Sequence, residues 1–319
     1  NHKVVTNKTL LVFEIAGKVA VSHHLLNRLR FYKLYQLAVH VHENVKAKIN
    51  ELLWDEENGI YCNRHWDGRL SKRWAPTSFF PLIAGVAPKE RAERMVREHL
   101  LNESEFWGQW VIPSISRSDP AFPDNDYWRG RIWGPFNFLV AEGLHRYRLD
   151  DAAAQLAEKG LELFMRNWRD DGGVYENYNA DTGVGGDVWN AARLYHWGGL
   201  LVLIAIEELI DVETHGYLRI GSLKFPSAGV QNAHIAGELH DVELNDGVFV
   251  SRGGEVWLEC DTRAIIRIPL GARDDRPIEI SAEKSGTLTW HGAPQPAPVA
   301  RINGEKTIEP QGLPAIYRW

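Results

Sequence analysis

Hydrophobic periodicity changes once along this chain, near Asp211, and that change constrains the fold more than any other feature. Before it, apolar residues recur at spacings of three or four, as in Leu25, Leu29, Tyr32, Tyr35 and Val39, or Val41, Val45, Ile49 and Leu52. That spacing puts them on one face of a helix. After it come short alternating runs such as YLRIGSLKF, HIAGELHDVELN, GVFVSRGGEVWLEC and AIIRIPLG, separated by Gly, Pro and Asn-Asp turns. Those are strand signatures. The chain thus reads as mainly α with a β module: a helical domain over 1–211 and an antiparallel β-sandwich over 212–319. A length of 319 residues with 44% hydrophobic content is enough for two cores.

The helical part is predicted to hold about seven helices. Two lie within 10–54, one over 75–86 and one from Pro88 to Leu101. The others cover 128–148, 152–168 and 189–210. The Leu149-Asp150-Asp151 link is so short that its flanking helices run antiparallel as a hairpin. Helical hairpins in series suggest an α/α toroid, whose loops at one end line a central cleft. The long segment 102–127 and the glycine-rich segment 169–188 then share a rim. A loop as long as the first is more often functional than not.

Several function classes drop out. The net charge is -6 with no basic block, so nucleic acid is not an expected partner. No apolar run reaches the roughly 18 residues of a membrane span, and no membrane partner is expected. Cys62 and Cys260 are the only cysteines, too few for a disulfide framework. Glu14 and Lys18 interrupt the one N-terminal apolar run, which argues against a signal peptide; the compartment stays open, with the cytoplasm favoured. His23, His24, His40 and His42 are in no metal-ligand spacing, since residues two apart on a helix face different sides. No cofactor is expected: GGDVWNAAR carries no glycine-rich phosphate motif behind a strand. What remains unusual is 13 Trp, ten of them before residue 212. Indole is a broad, polarisable surface with one hydrogen-bond donor, suited to the apolar face of a sugar.

Two stretches concentrate polar chemistry. PDNDYWRGRIWGPFNFLV, from Pro123 to Val140, sets Tyr127, Trp128 and Trp133 beside Asp124, Asp126, Arg129 and Arg131. It reads either as a pocket floor or as a helix entry with capping carboxylates, solvated arginines and core tryptophans. RDDGGVYENYNADTGVGGDV places Glu176 between Tyr175 and Asn177-Tyr178. Glu176 is either a base for water or a solvated loop glutamate.

The pieces LLWDEENGIY, APTSFFPLIAG, PSISRSDPAF, DNDYWRGRIWGPFNFLV and GGVYENYNADTG, in this order, resemble the C-terminal half of the (α/α)6 barrel of glycoside hydrolase family 63 and trehalase-like enzymes. The likeness covers about Glu51 to Ile210 and is nearest to the mannosylglycerate and glucosylglycerate hydrolases. It implies that Glu176 is the general base of an inverting glycosidase. It also implies that Tyr127 and Trp128 line a sugar subsite, with Arg129, Trp133 and Tyr178 in the same substrate-binding set. The family's general acid, an aspartate in a motif resembling W-E-S-G-x-D-N-S, has no counterpart here. The resemblance therefore implies a partial toroid whose open edge is covered by a second copy or by a chain that completes the barrel. Two functions follow: an inverting α-glycosidase for a small glucoside or mannoside, or an inactive truncated remnant that binds sugar. An α/α-barrel epimerase would need paired cleft histidines, and His145 and His196 form no such pair.

Overall fold

The computed structural model describes residues 32–235, 237–270, 276–294 and 296–319. The first of the two helices expected within 10–54 lies largely outside them. Helix α1 (Tyr32–Leu52) runs into a two-stranded ribbon, β1 (Trp54–Asp55) with β2 (Ile60–Tyr61). Its turn is closed by Asp55, whose carboxylate accepts the Asn58 amide at 3.1 Å and whose carbonyl accepts that of Gly59 at 2.8 Å. The expected helix at 75–86 is a 3-10 turn, Pro76–Phe79, continuing as α2 (Phe80–Ile83). Helix α3 (Lys89–Met95) widens into a π-turn over Val96–Leu100.

Two helix starts differ from expectation. Helix α4 (Gly134–Arg146) begins six residues after the predicted 128, because Asp126–Arg129 close a tight turn instead. Helix α6 (Leu200–Leu209), with a 3-10 turn at His196–Gly199 before it, begins well after the predicted 189. Residues 192–195 are non-helical there, with Leu194 in the left-handed region, and pair with the Glu176 segment. Helix α5 (Asp150–Asp171) follows α4 after the short link, as expected, and ends on Gly172 in the left-handed region. Six α-helices therefore stand among the described residues, the seventh expected lying largely outside them, and none of the six is long and apolar enough to cross a membrane. Helices α2 and α4 pack closely because Gly143 lacks a side chain; a Cβ there would lie 2.7 Å from that of Leu82.

The chain forms two compact units. One joins Leu163–Leu200 to the residues before Asp150; the other joins Asp150–Glu162 to Leu201–Trp319. Strands begin at Ile210, beside the expected switch, yet the strand-bearing unit also takes in α6 and the first part of α5. Its strands are β3 (Ile210–Val212), β4 (Tyr217–Ile220), β5 (Ala228–Ile235), β6 (Glu238–Leu244), β7 (Val248–Arg252) and β8 (Glu255–Cys260). They continue as β9 (Ala264–Pro269), β10 (Ile278–Ala282), β11 (Thr287–Trp290), β12 (Ala300–Ile302), β13 (Lys306–Ile308) and β14 (Ala315–Arg318). Two six-stranded sheets result, ordered β13-β12-β10-β9-β4-β3 and β14-β11-β8-β7-β6-β5. The expectation of purely antiparallel pairing is corrected at one place: β10 and β12 are parallel. Between them the chain visits the other sheet as β11, which supplies the crossover that a parallel pair requires.

Burial alternates along the strands, with Val248 and Val250 inside and Phe249 outside, as a sheet with one covered face demands. Trp257 and Trp290 are core residues. A charged cluster explains why helix residues belong to this unit. Arg219 and Arg267 face each other across β4 and β9. Arg219 meets Glu208 of α6 at 3.0 Å; Arg267 meets Glu213 at 2.8 Å and Asp150 of α5 at 2.6 Å. Both arginines are buried, and a buried charge is tolerated only when so paired.

Candidate active site

The site lies in the unit containing α4, where four short chain stretches lie side by side. Ser114 N–H donates to the Arg131 carbonyl at 2.9 Å. Ile132 and Tyr178 exchange backbone hydrogen bonds of 2.8 and 2.9 Å. On the far side, Glu176 N–H donates to Ala192 at 2.9 Å and Tyr195 N–H to Val174 at 2.8 Å. The order is 113–114, 130–132, 174–178, 192–195. Hydrogen bonds to both neighbours hold the glycine-rich segment, so it is a fixed part of the wall and not the flexible loop its composition suggests. Gly198 permits the close approach: a Cβ there would sit 2.6 Å from both the Tyr175 carbonyl and the Tyr178 hydroxyl.

The Tyr127-Trp128 pair occupies the tip of a tight turn. Arg129 N–H donates to the Asp126 carbonyl at 2.8 Å, and Asp126 N–H to that of Arg129 at 3.0 Å. Arg129 braces the turn through Asp124 at 2.7 Å and Asp126 at 2.9 Å. Tyr127 has a φ of +45°, in the left-handed region that bulky residues avoid. The Trp133 indole N–H fastens the turn from below by donating to the Tyr127 carbonyl at 3.0 Å.

An aromatic stack follows. Trp128 lies on Trp133, with ring centroids 3.8 Å apart and planes 13° from parallel. Tyr127 and Trp197 meet Trp133 edge-on at 4.8 and 5.7 Å. Trp133 is 1% exposed and Trp128 47%, so one indole is the floor and the other the surface. Glu176 is half-buried beside Tyr127. The Tyr127 phenol is held above its ordinary pKa, first by burial and then by the charge of Glu176 and the hydrogen bond between them. The two stretches singled out in the sequence thus meet at these two side chains.

The other expected residues divide. Arg129 is on the surface of the turn. Tyr178 has no exposed surface; its hydroxyl oxygen accepts the Tyr175 N–H at 3.1 Å and burial pushes its pKa up to about 12. It therefore supports the wall from behind, where a ligand contact was expected. Sequence reasoning missed a polar layer beneath. Arg131 was read as a pocket residue or a solvated arginine, yet it is fully buried, forked onto Asp187 at 2.7 and 3.3 Å, with its Nε donating to the Asn177 side chain. Asp187 also accepts from Asn179 at 2.7 Å. Burial works against its ionised form, but the hydrogen bonds from Arg131 and Asn179 outweigh burial and hold its carboxyl below the usual range. The available signal was two lone opposite charges, each beside an apolar residue within a glycine-bearing stretch. Tyr195 and His196, stacked at 4.9 Å, also border this region. Among the described residues, no group of three His, Cys, Asp or Glu is arranged to hold a metal ion.

Residues 38–198 match the model of one protein family, the mannosylglycerate hydrolase MGH1-like glycoside hydrolase domain. The chain belongs to this family. Every site residue named above falls within the match. A mannosylglycerate hydrolase of Thermus thermophilus is 33% identical over 183 residues, covering 51% of this chain and 41% of that protein. Among solved structures, a glycoside hydrolase family 63 mannosylglycerate hydrolase of Thermus thermophilus, in complex with glucose, matches with a TM-score of 0.50 and 26% identity. That match covers 62% of this chain and 43% of the other. A sialidase shares fold alone, with a TM-score of 0.66 at 14% identity over 82% of this chain and 26% of its own. The motif resemblance to family 63 and trehalase-like enzymes holds, and the relatives are carbohydrate-processing hydrolases. The chain spans less than half the length of the Thermus protein.

Proposed function

We propose that this chain carries the base side of an inverting α-glycosidase acting on a small glucoside or mannoside. The observation that carries the proposal is the Glu176 carboxylate beside the Tyr127 hydroxyl, next to an exposed indole stacked on a buried one. A pyranose laid on Trp128 presents its anomeric carbon toward that carboxylate. Glu176 takes a proton from water as the water oxygen bonds to the anomeric carbon. The glycosidic C–O bond breaks on the opposite face, and an acid protonates the departing oxygen. In inverting enzymes the two carboxyl groups stand about 6.5–9.5 Å apart, leaving room for that water. The acid comes from outside residues 1–319 or from a residue whose motif is unlike the family's. The helices of 1–211 are read as part of an (α/α)6 toroid with 212–319 as accessory module, paired with a second copy or a completing chain.

The test is hydrolysis of α-mannosyl and α-glucosyl glycerate, with the anomer first released followed by NMR. Inverted sugar should appear, and Glu176→Gln should slow its release by about 10²–10⁴-fold with the fold intact. Unchanged turnover in that variant would remove Glu176 from the mechanism. A second reading, a sugar-binding remnant, is favoured by the missing acid motif. Calorimetry showing sugar binding in the absence of any hydrolysis would select it.

A further inference from the structure

We infer that Arg131 and Asp187 form a positioning clamp for Glu176, a role that rests on reading Glu176 as the base. Two of the four stretches that build the wall meet at this pair, 130–132 through Arg131 itself and 174–178 through Asn177. Arg131 stands two residues beyond the Asp126–Arg129 turn, and its side chain is fully buried. All three guanidinium nitrogens are engaged: Nε with the Asn177 side-chain oxygen, the other two with both oxygens of Asp187 at 2.7 and 3.3 Å. Asn177 directly follows Glu176 and is itself buried, and its amide nitrogen donates onward to the Asn190 carbonyl at 3.3 Å. Asp187 accepts from Asn179 at 2.7 Å. One ion pair thus grips the residues one and three places after Glu176. It also joins them to the segment that leads into Ala192, the backbone partner of Glu176.

A fork onto a carboxylate fixes direction as well as distance, which a lysine in the same place would not do. The segment it holds contains five glycines between 169 and 188, so its backbone has little rigidity of its own. A base must be held to within about 0.5 Å of its productive position, and a displacement of about 1 Å can cost a hundredfold in rate. Arg131 and Asp187 touch no reacting atom; they act through Asn177, Asn179 and the backbone.

The experiment reads the clamp without requiring turnover. Tyrosine labelled with ¹³C at Cζ is incorporated into the full chain, and the Tyr127 signal is assigned by its loss in Tyr127→Phe. In the wild type this signal should titrate above tyrosine's ordinary value near 10, first because of burial and then because Glu176 is held against it. Glu176→Gln and Asp187→Asn should each bring the titration down toward that value. Arg131→Lys, which keeps the charge and loses the fork, should do the same, and Asn179→Ala should do so by a smaller step. If Asp187→Asn does not fold, the last two variants decide. A wild-type Tyr127 titration in these variants, whatever their melting temperatures, would overturn the inference and leave the pair purely structural. Where the chain hydrolyses a glycoside, kcat should fall about a hundredfold in Asp187→Asn with KM little changed. Equal losses in folded fraction and rate, with normal kcat per folded molecule, would also overturn it. A chain that binds sugar with no hydrolysis selects the sugar-binding reading, since cleavage needs an acid as well as a base, and the titration still decides the clamp.

Discussion

The indole of Trp128 lies flat on that of Trp133 at 3.8 Å, but only Trp128 reaches solvent. Neighbouring indoles in one stack therefore have separable duties. Trp128→Ala should weaken sugar binding about tenfold, since stacked aromatic contacts contribute about 0.5–1.5 kcal/mol beyond buried area, and should barely move the melting temperature. Trp133→Ala should cost about 3–5 kcal/mol of stability, the usual loss for a buried aromatic. Sugar titration followed by tryptophan fluorescence, beside denaturant unfolding of both variants, checks the separation. Similar stability losses in the two would contradict it.

Stability should also depend on pH through His99. Its Nδ1 lies 2.7 Å from Glu105 and its Nε2 2.5 Å from the Asn58 carbonyl, so both ring nitrogens face acceptors. Burial lowers its pKa, but those hydrogen bonds and the charges of Glu105 and Glu98 raise it further than burial lowers it. A raised folded value means that this contribution is complete below the ordinary histidine value near 6.5 and is lost as pH rises through the folded value. The melting temperature should fall across that window, and His99→Gln should flatten the decline. A wild-type slope retained in His99→Gln would assign it to another group.

Adjacent glycines should respond in opposite ways. A Cβ on Gly198 would press on the Tyr175 carbonyl and Tyr178 hydroxyl at 2.6 Å, whereas one on Gly199 would meet nothing within 4 Å. Gly198→Ala should cost about 1–3 kcal/mol by overpacking. Gly199→Ala should be neutral or slightly stabilising, through lost freedom in the unfolded chain. Thermal unfolding of the two variants distinguishes them.

The Arg219–Glu208 pair should be strongly non-additive. Removing one partner, as in Glu208→Leu, leaves a buried charge uncompensated and should cost about 3–5 kcal/mol. Arg219→Met with Glu208→Leu should recover much of that loss, because both desolvation costs then vanish. A double-mutant cycle by urea unfolding gives the coupling directly; simple addition of the single losses would refute it.

Much of this organisation was legible in the sequence, for identifiable reasons. The change at Asp211 was visible because helix and strand periods differ, and it falls beside Ile210, where the strands start. The meeting of the Tyr127 and Glu176 stretches was legible through the series of helical hairpins, which puts 102–127 and 169–188 on one rim, and through the family likeness; nothing local in either stretch indicates the other. The start of α6 was hidden because Trp189-Asn190-Ala191-Ala192 suits a helix, and only pairing with 174–176 holds the residues up to Tyr195 out of one. The depth of Arg131 was hidden too. An arginine beside glycine reads as solvated until a carboxylate 56 residues later is known to reach it. Likewise Glu208 looks like a surface residue at the end of an apolar helix, and the arginine that buries it stands on a strand.

The left-handed backbone at Tyr127 has an evolutionary consequence. A bulky residue held in that region stores about 1–3 kcal/mol of strain, whereas glycine would occupy it without penalty. In a lineage indifferent to the phenol, neutral drift would run downhill toward glycine, and the turn would close more comfortably for it. Tyrosine at this position therefore sets a local backbone cost against the contacts of its ring with Trp128 and Trp133.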